Sequence, residues 1–296
     1  MTETRIRPFK GALAMGRTVM YGLMSGAIRM CMIYFLALAF TTLPTAAQMV
    51  SLEAERQAAA ALANGQLTPE RDQALELARF LGPRASSELK LAVIEAAWAE
   101  LRDETGRPEG SEAVFDYMDT VSRLEDPRAI PFLIEVLSNG SGASNALADF
   151  GPALVFAPVL AVVSNPNGDA YQVGEGLTTL RFMLEDGVLT ARQTDQVRAI
   201  VKGRLSESQH ASIVRVTVRL ALALKDPELR AVVERFVEDR EFAESLVSQR
   251  LASGNPMSDE NHARRVKTIQ KRTQAILDGT GASIGPFRRK SSVSTR

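Results

Sequence analysis

The sequence predicts an all-α protein, and three observations carry that prediction. Aromatic residues are only 6% of the 296 positions although apolar residues reach 45%, a balance that suits aliphatic side chains packed between helices better than a sheet core. Apolar residues recur with the period of one helical face, most clearly at Ile130, Leu133, Ile134 and Leu137. Three segments open on a capping residue followed directly by proline, at Thr68-Pro69, Asp126-Pro127 and Asp226-Pro227. In that order a side-chain oxygen covers free N–H groups, and proline, lacking one, takes the first turn.

Residues 1–47 form a leader unlike the rest of the chain. Arg5, Arg7, Lys10, Arg17 and Arg29 precede an unbroken apolar run from Met30 to Phe40, and Thr45, Ala46 and Ala47 then lead into Gln48. This charged, apolar, small-residue order is that of a secretory signal peptide, with cleavage between Ala47 and Gln48. The apolar run of 11 residues spans only about 16 Å as a helix, short of the roughly 20 residues that cross a bilayer. Cleavage is therefore favoured over an anchor extended back through residues 11–28, where Arg17 and Arg29 would meet hydrocarbon. Met15, Met20, Met24 and Met30 offer internal starts, of which Met24 leaves the more typical signal peptide. Cleavage removes Cys31, the one cysteine, and with it disulfides, thiol catalysis and cysteine-ligated metals. It also removes five basic residues against Glu3, so 35 basic and 35 acidic residues become 30 and 34. A mildly acidic chain is poorly suited to nucleic acid.

The remainder reads as an N-terminal helical segment over 48–110, a helical array with its C-terminal cap over 111–278, and a basic, Gly- and Ser-rich tail over 279–296, disordered by composition. In the first part, a helix over 53–63 ends at Asn64-Gly65, and a second opens at Thr68-Pro69-Glu70 and stops near Gly82-Pro83. A third places Leu91, Ile94, Trp98 and Leu101 on one stripe expected to be buried, with Trp98 as a core anchor. A polar loop over 102–110 and a segment over 111–124 follow. Next, Asp126 caps, Pro127 takes the first turn, and Pro131 removes a hydrogen bond one turn in and should kink the helix near its start. Two segments echo this one. Ala157-Pro158-Val159-Leu160 stands where the first has Ile130-Pro131-Phe132-Leu133, and Asp226-Pro227 repeats the opening 100 residues after Asp126, followed by Leu229, Val232, Val233, Phe236 and Val237. Stretches 241–252 and 259–277 supply a cap with a polar outer face.

These residues resemble HEAT-like repeats of the short bacterial type, in which a Leu-x-Asp-Pro-x-x-x-Pro-x-Leu helix follows a Val-Arg-x-x-Ala helix. Asp195-Gln196-Val197-Arg198 and Ile213-Val214-Arg215 supply the second element, and the resemblance covers roughly residues 89–239. It implies a right-handed α-solenoid of helix pairs, each about 30 to 45 residues long and burying its apolar face only against its neighbours. The pattern is poor between Gly168 and Gly187, and the Gly- and Asn-rich stretch 165–176 reads as an irregular insertion.

The chemistry-bearing residues point away from catalysis. His210 and His262 lie far apart without His or Cys neighbours at metal-ligand spacing, and no Gly-x-Ser-x-Gly elbow supports a Ser-His-Asp set. No catalytic residue, cofactor or metal is expected. Asn165-Pro166-Asn167-Gly168-Asp169 lacks the EF-hand spacing, its twelfth position being Gly176, and reads as a turn capped by Asp169. Gly174-Glu175-Gly176 and Gly140-Ser141-Gly142 read as turn glycines, without the lysine of a phosphate loop. Asn139-Gly140-Ser141 meets the glycosylation sequon. Glu234, Glu238 and Asp239 read as a solvated helix face. Arg264-Arg265, Lys267 and Lys271-Arg272, backed by Arg288-Arg289-Lys290, read first as a solubilising face and second as a contact for anionic lipid or an acidic partner.

The expected function is that of an exported protein, secreted or periplasmic, that acts as a non-catalytic scaffold for another protein. Neither nucleic acid nor, after cleavage, a membrane is an expected partner, apart from weak anionic-surface contact through the basic tail. The contact surface is expected on the helices opening at Asp126 and Asp226 and on the 165–176 stretch. Two other classes stay open. An extracytoplasmic enzyme on a helical scaffold, a lyase or a glycan-acting one, would show a deep polar pocket with two or more shifted carboxylates. A membrane-tethered structural protein would retain residues 1–47.

Overall fold

The computed structural model describes residues 51–64, 68–104, 112–250 and 255–280. The expected cleavage point at Ala47 and Gln48, Cys31 and the Arg288-Arg289-Lys290 cluster lie outside the described residues. The chain divides into two compact units between Ala54 and Glu55.

The described residues form thirteen α-helices and no strand, with two isolated bridges, Gln209 to Val247 and Arg250 to Pro256. The all-α expectation holds for them. The helices are α1 (Leu52–Ala63), α2 (Pro69–Leu81), α3 (Ser87–Glu104), α4 (Glu112–Arg123), α5 (Ile130–Glu135), α6 (Ser141–Asp149) and α7 (Pro152–Ser164). They continue with α8 (Ala170–Glu185), α9 (Ala191–Arg204), α10 (Ala211–Ala223), α11 (Pro227–Glu238), α12 (Arg240–Leu246) and α13 (Asp259–Leu277). No helix among the described residues is long and apolar enough to cross a membrane.

The starts of these helices follow from the sequence. The Thr68 side chain accepts the Arg71 N–H, Asp226 accepts those of Glu228 and Leu229, and Asp169 those of Tyr171 and Gln172. Thr190 and Gln193 close a capping box on α9, in which each side chain satisfies the other's backbone N–H. The segment after Asp126 differs from the single kinked helix expected. It splits into a 3-10 turn over Pro127–Ala129, then α5, then a second 3-10 turn over Val136–Asn139. Pro131 falls in the first turn of α5, where its missing N–H has no partner to lose. Its apolar face is buried as expected at Ile130, Leu133 and Leu137, joined by Phe132 and Val136.

Most helices pack on the next but one, and many also on the next. α2 meets α3 and α4, α3 meets α4 and α5, α4 meets α6, α5 meets α6 and α7, and α6 meets α7 and α8. α7 meets α8 and α9, α8 and α9 each meet α10, and α10 meets α11 and α13. Two rows result, one of α2, α4, α6, α8, α10 and α13, the other of α3, α5, α7 and α9. Arg198 and Lys202 of α9 extend the second row to α11 through ion pairs with Asp226 at 2.9 Å and Glu228 at 2.7 Å. α8 touches neighbours on several sides, and Val173, Leu177, Leu180, Phe182 and Met183 are buried together with Thr178, Thr179 and Arg181.

Several sequence expectations differ from the structure. Leu91 is 39% exposed, and the buried stripe of α3 is Leu89, Val93, Ile94, Ala96, Ala97 and Glu100. Small alanines admit the neighbouring helices closely, and Glu100 receives Arg71. Trp98 is half-buried and meets Phe132 edge-on, with ring centroids 5.6 Å apart. Gly174 and Gly176 are not turn glycines, because both lie inside α8, and Gly142 lies inside α6, with only Gly140 of its cluster before the helix start. A Cβ on Gly176 would stand 2.8 Å from Val163 Cγ1, so this glycine lets α7 and α8 touch. The irregular stretch ends at Asp169 and not at Gly176. The helix expected over 241–252 closes at Leu246, where the chain bends to pair with Gln209, whose N–H donates to Leu246 O at 2.8 Å.

Candidate functional site

α8, α10 and α13 enclose an open pocket of about 360 Å³. α8 contributes Tyr171 from its first turn. The start of α10 contributes His210, Ser212 and Arg215, and α13 contributes Arg264, Arg265, Thr268, Ile269 and Arg272. Every charged side chain in this lining is cationic.

The sequence places these groups through ordinary helix physics. His210 is the N-cap of α10, its Nδ1 receiving the Ser212 N–H at 3.3 Å. Ser212 Oγ lies 2.7 Å from the same nitrogen and 3.2 Å from Ala170 O. The hydroxyl rotates toward either acceptor, whereas the backbone donor is fixed and requires a lone pair on Nδ1. The neutral ring therefore carries its proton on Nε2, a buried nitrogen without a hydrogen-bond partner. Burial, and secondarily the charge of Arg265, hold the His210 pKa below its usual value, with Asp169 opposing. Burial of this kind disfavours the charged form, so the ring is neutral near pH 7. Tyr171 meets it edge-on at 5.7 Å between centroids.

Arg215 and Arg219 stand one turn apart on α10, and Arg219, half-buried, lies near Arg181, Arg215 and Arg272. Burial and those three positive neighbours lower its pKa, with Glu185 opposing. Arg181 is committed to Glu185 at 2.8 Å, and Arg264 to Glu260 at 3.5 Å. The guanidinium groups of Arg215, Arg219, Arg265 and Arg272 make neither ion pair nor hydrogen bond among the described residues. Positive charges gathered without partners around a common space repel one another, and an anion entering that space would relieve the repulsion.

The sequence-predicted residues fall elsewhere. Asp126, Pro127, Pro131, Asp226 and Pro227 shape helix starts and line no part of the pocket. His262 is buried, with Nε2 2.7 Å from Val247 O, a bond that ties α13 to the end of α12. Glu234 and Asp239 pair one turn away with Arg230 and Arg235 on the surface of α11, as a solvated face would. The basic run of α13 divides. Arg264, Arg265 and Arg272 line the pocket, whereas Lys267 and Lys271 are exposed outside the lining. Sequence reasoning missed Arg215, Arg219, Tyr171 and the role of His210. The available signal was a pair of arginines four apart in α10, a helix with no other charged residue. Among the described residues, no group of three or more His, Cys, Asp or Glu side chains is placed to hold a metal ion.

Comparison with protein-family models, with curated proteins and with solved structures finds no match to this chain.

Proposed function

We propose that this chain is an exported, non-catalytic repeat protein, secreted or periplasmic. In this reading it is a right-handed HEAT-like α-solenoid that serves as a scaffold for another protein, with the arginine-rich face of α8, α10 and α13 as part of its contact surface. The observation that carries the reading is the packing of most helices on the next but one, and of many on the next, in two rows, the relation by which stacked helix pairs bury a continuous core. The pocket supports it because it offers positive charge and hydrogen-bond donors to an incoming group. The leader over residues 1–47 supports export.

The test is crosslinking of the C-terminally tagged chain in its native host, with mass spectrometry of the bait's first residue and of its companions. A bait that begins at Gln48 with one stoichiometric protein companion is the expected result. A bait that retains residues 1–47 would move the reading to a membrane-tethered protein, and a cleaved bait without a companion would overturn the scaffold assignment.

A further inference from the structure

We infer that the pocket between α8, α10 and α13 binds the phosphoryl group of a small phosphomonoester, held by Arg215, Arg265 and Arg272, with the organic part against Tyr171. The inference rests on reading the arginine cluster as a binding site and goes further in naming the group bound.

Four features select this ligand. First, the lining is cationic and no carboxylate lies among its residues, so the site asks for hydrogen-bond acceptors carrying negative charge. Second, the unpaired guanidinium groups come from two helices, Arg215 from α10 and Arg265 and Arg272 from α13. A phosphomonoester carries about 1.5 to 2 negative charges and three acceptor oxygens, enough to engage several planar forks at once. A single carboxylate satisfies one fork. Third, the N-cap His210 and Ser212 of the first turn of α10 line the pocket, and the positive end of a 13-residue helix favours a nearby negative charge. Fourth, the pocket of about 360 Å³ falls within the range of small-ligand sites. Tyr171, 51% exposed at its rim, offers an apolar ring face to the ligand's carbon skeleton.

The experiment is calorimetric titration of the full-length chain at fixed ionic strength with inorganic phosphate, with phenyl phosphate as the monoester probe, and with a glutamate-rich peptide. Phenyl phosphate should bind once per chain and more tightly than inorganic phosphate. Arg215→Gln and Arg272→Gln should each weaken it about tenfold or more, the loss of one charge-assisted contact, while Lys271→Gln leaves it unchanged. All variants should keep the helical circular dichroism of the parent chain. Absence of saturable phosphoryl binding, affinity indifferent to both arginine variants, or tighter binding of the peptide would overturn the inference. Flotation with vesicles containing phosphatidic acid separates a lipid-borne phosphoryl group from a free one, and tighter binding to vesicles than to phenyl phosphate would overturn the small-molecule assignment. A protein companion retained without phosphoryl binding defeats this inference alone. Phosphoryl binding without a companion defeats the scaffold reading alone.

Discussion

Glu125 and Lys225, one hundred residues apart, hold the same left-handed backbone conformation, with φ of 49° and 53°. Each follows a helix, and each precedes an aspartate whose side chain caps the next segment and a proline in its first turn. The Asp-Pro echo read in the sequence is thus an echo of backbone geometry. The left-handed conformation costs an L-residue about 1–2 kcal/mol, and glycine avoids that cost while losing about 0.5–1 kcal/mol in chain entropy. Glu125→Gly and Lys225→Gly should therefore both raise stability, by a few tenths to about 1 kcal/mol. Chemical denaturation checks this, and opposite signs at the two positions would contradict their equivalence.

Arg71 is nearly fully buried, and donates to Glu100 at 2.8 Å and to the Tyr117 hydroxyl at 2.6 Å, so one guanidinium joins α2, α3 and α4. Glu100→Ala strands a buried charge and should cost about 3–5 kcal/mol. Tyr117→Phe removes one bond to a charged donor and should cost about 1.5–3 kcal/mol. The double variant Arg71→Met/Glu100→Leu should recover part of the loss, because no unpaired charge remains although the buried Tyr117 hydroxyl loses its donor. A double variant as unstable as Glu100→Ala would show that the packing, and not the charge, was at stake.

Two glycines of α8 should respond in opposite directions to alanine. At Gly176 the added methyl meets Val163 at 2.8 Å, whereas at Gly174 the nearest atoms stand at 3.8 Å. Gly176→Ala should cost about 1–3 kcal/mol through overpacking, and Gly174→Ala should gain up to about 1 kcal/mol in helix propensity. Thermal melts of the two proteins decide the matter, and equal effects would refute the close approach of α7 and α8.

His210 predicts a pH dependence. Its folded pKa lies below the usual histidine value of about 6.5, so as pH falls past about 6.5 the unfolded chain takes up the proton first and stability declines until the folded value is passed. Asp126 and Asp226 are lowered from 3.8 by hydrogen bonds to their charged forms, from Arg128 and from the backbone of α11 respectively. Their contribution is present above about pH 4 and disappears as pH falls through the folded values. The melting temperature should be level just above pH 7 and fall in two stages below it, and His210→Gln should abolish the first stage only. An unchanged first stage in that variant would assign it to another group.

Local signals made the helix starts legible. Thr68, Asp126 and Asp226 cap where their sequence neighbours suggest, because capping depends on residues a few positions apart, whereas Asp169, which reads as the cap of a turn, caps α8. The burial of Leu229, Val233 and Phe236 likewise follows from period alone. Gly176 was misread because its role depends on Val163 in another helix, and Leu91 because the sequence does not show which side of α3 receives Arg71. The pocket was least legible, since α8, α10 and α13 each supply part of it and no single segment carries the pattern. Arg264, Arg265 and Arg272 look like a solvated run until α10 brings Arg215 and His210 into the same lining.

The most direct measurement is the affinity of the captured protein companion for the parent chain and for Arg215→Glu/Arg272→Glu, each with its thermal melt. The account predicts that charge reversal abolishes binding while the melt stays that of a folded helical protein. Undiminished binding by the reversed variant, with its fold intact, would contradict the assignment of this face as the contact surface.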